Sequence, residues 1–351
     1  MGDNNIVKTE RLQWLDAMRG FTMILVVAYH VAQMGFGENE KLSASLPFLV
    51  LFRMPLFFFV SGFLAYKADF QWTLPNALRL TWKKIKIQVV PALVFLCVFI
   101  VLKRNEFWNT FEACMKLPTK GGYWFTWVLL HMFVIYYAVC LVAKKRNWPI
   151  WVLWLASVFV YATVYMPKYF TYHKDLFFQY SSLIETMKFM QFFLIGNLAH
   201  RYWTKLQRLF DTAWFFPIVV TLAFVCCADI FRWHTLRLMW TNLPRTLAMY
   251  ALLCIVVMFF RHYQQWFTQE KRTGQALQYI GTRTLDVYLL HYILLPKLPM
   301  VGQWLNAHQP NFVVDIVLSM SVAMVVIAFC LLVSNLLRVS PFFRLYLFGR
   351  K

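Results

Sequence analysis

Long apolar stretches, separated by short polar connections, make up most of this 351-residue chain. A helix needs about 20 consecutive apolar residues to cross the roughly 30 Å hydrocarbon layer of a membrane. The pattern therefore predicts an all-α polytopic membrane protein with about ten transmembrane helices. We place these helices near residues 17–36, 47–66, 87–102, 124–143, 149–166, 183–200, 213–231, 245–260, 284–299 and 313–337.

The connections between the apolar stretches are mostly short. Only residues 103–123 and 261–283 offer enough chain for short interfacial helices, and the other connections are predicted as tight turns. The sequence shows no soluble domain, internal repeat or low-complexity tract, so residues 1–351 are predicted to form a single transmembrane domain.

The composition agrees with a membrane protein. Hydrophobic residues make up 60% of the chain, aromatic residues 19% and charged residues only 14%, and the mean hydropathy is +0.54. An ordinary soluble domain of this size does not have such a composition. The seven Cys include no CxxC pair, which argues against a zinc site or a disulfide framework. The first apolar run lacks the pattern of a cleaved signal peptide and is expected to be retained.

The net charge of +20 reflects membrane topology more than a binding surface. Lys and Arg occur in short clusters between the apolar stretches, whereas a nucleic-acid-binding protein concentrates them on one soluble face. With both termini in the cytoplasm, most of the 35 basic residues fall inside, as the positive-inside rule requires. Residues 103–120 and 232–245, predicted to lie outside, are also basic, which suits either an anionic acceptor or simple loop solubility.

Ionisable residues stand out in the first apolar stretch, DAMRGFTMILVVAYHVAQMGF, which contains Asp16, Arg19 and His30. Arg19 and His30 are eleven positions apart, or three helical turns plus about 20°, so their side chains share one helix face. Asp16 lies on that side too, and His30 is about 16 Å deeper than Arg19. A buried His either bonds to a neighbouring helix or serves a functional site. The shared face favours function and makes all three residues catalytic candidates.

A lysine cluster precedes the third predicted span, in LRLTWKKIKIQVVP. Lys83, Lys84 and Lys86 are expected at the cytoplasmic surface. They could attract acidic lipid headgroups, or they could hold the phosphates of a cytoplasmic coenzyme, since Lys binds phosphate as a compact charge.

Three further polar residues at membrane depth are candidates for a cavity or an acceptor site, namely Arg53, His131 and His291. Each has an ordinary alternative, because Arg53 could reach the outer headgroups and each His could bond between helices. Several His at middle depth favour a water-accessible cavity. The sequence contains no HExxH, Walker, G-x-S-x-G or glycine-rich dinucleotide motif, so no metal site is predicted, and hydrolase, ATPase and Rossmann functions lack support.

Several segments together resemble acyltransferase family 3, the integral membrane acyltransferases that include bacterial O-antigen and exopolysaccharide O-acetyltransferases. The segments are RLQWLDAMRGFTMILVVAYH, MPLFFFVSGFL, KKIKIQVVP, YWFTWVLLHMF, FLIGNLAH and LQYIGTRTLDVYLLH, in family order between about residue 10 and about residue 295. The most specific parts are Arg19 with His30, the MPLFFFVSGF run and the LDVYLLH segment.

The resemblance implies a ten-helix enzyme of the bacterial cytoplasmic membrane. Such an enzyme takes an acyl group, usually acetyl from cytoplasmic acetyl-coenzyme A, to a hydroxyl of a glycan or lipid-linked sugar. By resemblance, Arg19 and His30 are the family's Arg-x-His motif, and His30 would be the general base. Lys83, Lys84 and Lys86 stand at its second basic motif, where members often have arginines that bind phosphate in a bidentate way.

Acyl-coenzyme A is thus expected as a donor substrate and not as a tightly bound cofactor. The other expected partners are the glycan or lipid-linked acceptor and membrane lipids, with no nucleic acid, and homo-oligomerisation stays open. The main alternative is a proton-coupled transporter or flippase with a relay of intramembrane His residues. It would require an inverted repeat, which we do not find. A structural or sensory membrane protein would need neither Arg19 nor His30.

Overall fold

The computed structural model describes residues 12–38, 43, 45–103, 106–146, 149–167, 171, 174–232, 242–308, 312–341, 343 and 347. Within these ranges the chain is helical and has no β-strand, which confirms the predicted all-α class. The α-helices are α1 (Gln13–His30), α2 (Leu46–Ala65), α3 (Leu74–Lys84), α4 (Val90–Leu102), α5 (Phe107–Lys116), α6 (Trp124–Arg146), α7 (Ile150–Val160), α8 (Leu176–Ser181), α9 (Leu183–Arg201), α10 (Trp203–Phe210), α11 (Phe215–Arg232), α12 (Asn242–His262), α13 (Arg272–Thr282), α14 (Thr284–Leu294), α15 (Pro299–His308) and α16 (Phe312–Leu337).

Short turns of other helix types join or extend several of these helices. π-Helical turns cover Val31–Gly35, Ile85–Val89 and Tyr161–Tyr165, and 3-10 turns cover Lys120–Gly122 and Gln264–Phe267. The second π-turn joins α3 to α4, so that Leu74–Leu102 forms one long helical segment.

Six helical segments of the described chain are long and apolar enough to cross a membrane. They are Gln13–Gly35, Leu46–Ala65, Leu74–Leu102, Trp124–Ala143, Leu243–His262 and Phe312–Leu337. A seventh arises if α10 and the first part of α11 form one span, although the chain bends by 81° between them. The other predicted spans correspond to α9 and to the shorter apolar helices Ile150–Tyr165 and Thr284–Leu294.

Four of the predicted connections differ from expectation. The prediction of tight turns was wrong at residues 67–86, 167–182, 201–212 and 300–312, because these stretches contain α3, α8, α10 and most of α15. α3 and α10 carry basic residues, which masked them in a search for apolar runs, and α8 and α15 are too short to form such a run. Residues 103–123 and 261–283 do hold short helices, as predicted. The basic segment 232–245 lies largely outside the described residues.

One end of the molecule is defined by polar contacts between helix ends that are distant in sequence. Arg19, near the start of α1, donates to Thr284 Oγ1 at the start of α14 over 3.2 Å. Beside it, Arg338, just after α16, donates to the buried Asp286 carboxylate, with 2.6 Å between Arg338 Nη2 and Oδ2. The starts of α1 and α14 and the end of α16 therefore lie at the same end of the bundle.

The opposite end is defined in the same way. Leu298 N, in the α14–α15 connection, donates to Gly35 O over 2.7 Å. Ser45 N, just before α2, donates to Asp315 Oδ2 at the start of α16 over 2.8 Å. α1 and α16 therefore run between the two ends in opposite directions, and α14 reaches the opposite end together with the connection that follows it.

Small residues let the helices nearest the site approach closely. A Cβ atom at Gly20 in α1 would lie 2.9 Å from the Leu277 carbonyl carbon in α13, and one at Gly281 would lie 2.8 Å from the Asp16 carbonyl carbon. Such distances are shorter than van der Waals contact, so glycine is required on both sides. This packing fixes the start of α1 against α13.

Candidate active site

A cavity of about 350 Å³ lies inside the bundle, within the range typical of small-molecule sites. Its walls come from α1, α2, α3 with its π-turn, α6 and α14. Polar and charged side chains line it at both ends: Arg19, His30, Arg53, Ser61, Lys67, Lys83, Lys84, Gln88, Thr126, Thr284, Tyr288 and Tyr292. The cavity therefore brings together five of the candidate residues predicted from the sequence, on three separate helices: Arg19, His30, Arg53, Lys83 and Lys84.

One end of the cavity is basic, with Arg19, Lys67, Lys83 and Lys84 in its lining. Burial lowers the pKa of the Lys67 amine, and the neighbouring charges of Lys83 and Arg79 lower it further. Like charges gathered in this way repel one another, so an anionic ligand would stabilise them.

Arg19 is held at this end by two partners. Its Nη1 lies 3.2 Å from Asp16 Oδ1, and its Nη2 donates to Thr284 Oγ1. Asp16 is itself buried, at 7% exposure, and is not part of the cavity lining. The structure thus places Asp16 behind Arg19, where it orients the guanidinium.

Only two of the three lysines that the sequence grouped together line the cavity. Lys84 Nζ lies 3.8 Å from the centroid of the Phe133 ring and lines the cavity, as does Lys83. Lys86 is exposed, with its Nζ 5.3 Å from the centroid of the Trp82 ring, and it does not line the cavity. The π-turn that begins at Ile85 changes the helical phase directly after Lys84.

His30 stands at the other end, where α1 passes into a π-turn. Its Nε2 lies 3.0 Å from the Tyr292 hydroxyl. Its Nδ1 is buried and has no hydrogen-bond partner within the described part of the chain. From Arg19 to His30 the helix rises about 16 Å, so the basic end and the imidazole are well separated.

The other candidates are placed differently. Arg53 lines the cavity, and its guanidinium lies over Tyr29 with 3.5 Å between Cζ and the ring centroid, so it points inward and not to the outer headgroups. His291 is fully buried and does not line the cavity. Its ring centroid lies 5.3 Å from that of His30, and its Nδ1 lies 2.8 Å from Tyr288 O.

His131 also lies outside the cavity lining. Its Nδ1 is 3.2 Å from Thr186 Oγ1, so it joins α6 to α9. His131 therefore makes a hydrogen bond between helices, which was the ordinary alternative to a role in the cavity.

Several residues of the site were not predicted from the sequence. Tyr288, Tyr292, Thr284 and Lys67 line the cavity, and Tyr292 contacts His30 directly. A signal was present, because Tyr288 and Tyr292 are four residues apart in LDVYLLHYILLP and share a helix face. The two π-turns that follow His30 and Lys84 could not be read from the apolar pattern, although such turns often mark functional sites.

The fold and the cavity define an integral membrane protein with a polar site inside a helical bundle. Its family follows from the comparison with known families, since the family model described as "Acyltransferase domain" matches residues 12–335. The chain belongs to acyltransferase family 3, and the family resemblance seen in the sequence is confirmed.

Curated relatives agree with this assignment over a shorter range. The chain is 23% identical over 161 residues to glucans biosynthesis protein C of Salmonella typhi and, to the same extent, of Salmonella typhimurium. The aligned part covers 40% of this chain and 42% of each relative, so the chain spans about two fifths of the relatives it matches. No solved structure matches the chain. These findings support a membrane acyltransferase and give no support to a transporter.

Proposed function

We propose that this protein transfers an acetyl group from cytoplasmic acetyl-coenzyme A to a hydroxyl of a cell-surface glycan or lipid-linked sugar. The observation that carries the proposal is that one cavity joins a basic end to His30, about 16 Å away. Coenzyme A has phosphates at one end and a thioester at the end of a long flexible arm. A site with cations at one end and a base at the other suits such a donor.

The donor phosphates would be held by Arg19, Lys67, Lys83 and Lys84. Arg19 offers a planar fork of donors that suits phosphate oxygens, and its contact with Asp16 pre-orients this fork. Lysines add compact positive charge around it. In this assignment Arg19 and Asp16 bind and orient the donor, while the reacting atoms lie near His30.

His30 would act as the general base. An alcohol is a weak nucleophile at neutral pH, and an imidazole is well suited to accept its proton during attack. The hydroxyl oxygen forms a bond to the thioester carbonyl carbon, and the carbon–sulfur bond breaks. The proton held on His30 then passes to the coenzyme A sulfur, which restores the neutral imidazole. Arg53, in the same cavity, would stabilise the negative charge that develops on the carbonyl oxygen.

For topology we propose ten membrane spans with both termini in the cytoplasm, at the inner membrane of a bacterium. The contacts between helix ends support this arrangement, because the start of α1 and the end of α16 lie at the same end of the bundle. That end also holds the basic part of the cavity, on the side where acyl-coenzyme A is made. Basic residues favour the cytoplasmic side as well.

The acceptor is proposed on chemical grounds. The matched relatives are named for glucan biosynthesis, and a glucan presents many hydroxyls that could accept an acyl group. Acetyl transfer needs only an acceptor hydroxyl that reaches His30 from the end of the cavity opposite to the donor phosphates.

The test uses purified protein in detergent or nanodiscs, with radiolabelled acetyl-coenzyme A and extracted glycan or lipid-linked sugar. We expect radiolabel in the acceptor fraction. In the variant His30→Ala we expect the rate of acetyl transfer to fall by about a hundred- to ten-thousand-fold. The matched control is His308→Ala, since His308 is exposed and stacks on Trp304 outside the cavity. A His30→Ala protein that is folded and still transfers acetyl at the normal rate would contradict the assignment of the base.

A further inference from the structure

The hydroxyl of Tyr292 is within hydrogen-bond distance of His30 in the cavity. Tyr292 lies on α14 and His30 on α1, and 3.0 Å separate the phenol oxygen from Nε2. Both residues line the cavity. The other nitrogen, Nδ1, is buried and has no partner within the described residues. A hydroxyl in the cavity that gives its proton to His30 therefore meets the Tyr292 oxygen on its way to Nε2.

Packing holds the phenol in this place. The Tyr292 ring lies 4.0 Å from His291 and 5.5 Å from Tyr123 between centroids. It also covers Gly122, which has a φ of +103° and at which a Cβ atom would overlap the ring. Gly122 O accepts a hydrogen bond from Tyr288 over 3.1 Å, which ties this turn to α14. The ring is thus fixed from several sides, as a group that acts in proton transfer must be.

We propose that the Tyr292 phenol relays the proton between the acceptor hydroxyl and His30 Nε2. In the reacting tautomer the phenol donates to Nε2, and its oxygen is free to accept from the cavity. As the acceptor oxygen attacks the thioester, its proton moves to the phenol oxygen while the phenol proton moves to Nε2. The carbon–sulfur bond breaks, and the same path in reverse delivers the proton from the imidazolium to the leaving sulfur. Tyr292 would then be a catalytic residue, and the proposal rests on the acyl transfer proposed above.

The first test compares kcat for acetyl transfer in the wild type, Tyr292→Phe and His30→Ala. A relay predicts that Tyr292→Phe lowers kcat about a hundred-fold, at the scale of a lost proton-transfer group, and leaves the KM for acetyl-coenzyme A unchanged. The matched control is Tyr123→Phe, whose hydroxyl donates to Leu289 O over 3.0 Å and not to His30. This control should keep kcat within about threefold.

A second test separates a relay from a residue that only positions the imidazole. Fluorinated tyrosine at position 292 keeps the shape and the hydrogen bond but makes the phenol more acidic. A relay predicts that kcat and its pH profile change with the number of fluorine atoms, whereas a positioning role predicts no change. Because these variants are nearly isosteric, the test holds even if Tyr292→Phe fails to fold.

The outcomes distinguish the two proposals. If His30→Ala abolishes transfer while Tyr292→Phe or the fluorinated proteins match the wild type, the relay is wrong and the acyltransferase assignment stands. If no protein, wild type included, labels the acceptor from acetyl-coenzyme A, the proposed function itself fails.

Discussion

At the scale of single residues, Lys84 and Lys86 provide a test of donor binding within one helical segment. Lys84 lines the cavity and lies over Phe133, whereas Lys86 is exposed beside Trp82. We expect Lys84→Ala to raise the KM for acetyl-coenzyme A about tenfold, equivalent to about 1.4 kcal/mol of lost phosphate binding. Lys86→Ala should stay within about twofold of the wild type. Steady-state kinetics at several salt concentrations measure both.

Salt provides the control for this prediction. Screening weakens contacts between a partly exposed amine and phosphate, so the KM of the wild type should rise with salt more steeply than that of Lys84→Ala. No effect from either substitution would mean that the lysines act only as topology signals, and equal increases in KM would contradict the assignment of donor binding to the cavity-lining lysine.

The sequence could predict site residues that lie close together along the chain, but not those that only folding brings together. Arg19 and His30 share one helix, so the helical period alone places them on one face, and the structure finds both in one cavity. Tyr292 is 262 residues from His30, and only the packing of α14 against α1 brings them together. Neither propensity nor spacing contains that information. The separation of Lys84 from Lys86 could have been predicted, because residues two positions apart on a helix point about 200° away from each other.

At the scale of helices, the close packing of α1 against α13 positions the basic end of the cavity. Gly281 faces the backbone of Asp16, and Gly20 faces the backbone of Leu277. Gly281→Ala would place a methyl group against backbone atoms that cannot turn aside. We expect a loss of about 1–3 kcal/mol or more in stability, the usual range for overpacking, together with weaker donor binding as Arg19 shifts.

Thermal unfolding of the purified variant measures this effect, and a second substitution on the same helix controls for it. Ala276 is exposed on α13, so Ala276→Ser should leave the melting temperature nearly unchanged. A Gly281→Ala protein as stable as the wild type would show that the two helices can separate at little cost.

The helices themselves were predictable to different degrees. Apolar runs such as Leu46–Ala65 and Phe312–Leu337 were evident in the sequence, because a helix that crosses the hydrocarbon layer must be apolar along its length. α3 and α10 were missed because their polar and basic residues read as connections, while their apolar faces pack on the bundle only after folding. The pattern of apolar and polar residues in a helix reflects its surroundings. A helix at the membrane surface contacts both water and lipid, so it does not show the continuous apolar run of a membrane span.

At the scale of the whole molecule, the number of spans decides whether a donor and an acceptor can reach His30 from opposite sides. The long apolar helices alone give six spans, and counting the bent pair as one more gives seven. The sequence predicts ten. The three counts place different segments on the two sides of the membrane. The contacts of Arg19 with Thr284 and of Arg338 with Asp286 favour ten, since they put the starts of α1 and α14 and the end of α16 together.

Single cysteines at three exposed positions separate these counts, with an impermeant thiol reagent added outside intact cells. Native Cys114 is a poor reporter because burial raises the pKa of its thiol, so it is first replaced by Ser. With the N-terminus inside, all three counts place Ala113→Cys outside, and its labelling is the control for access. Ten spans predict that Ala276→Cys and Val339→Cys both react only after permeabilisation. Six spans would expose position 276 to the reagent, and seven would expose position 339. Labelling of either from outside in a folded, active protein would therefore overturn the ten-span topology and, with it, the placement of the basic cavity end in the cytoplasm.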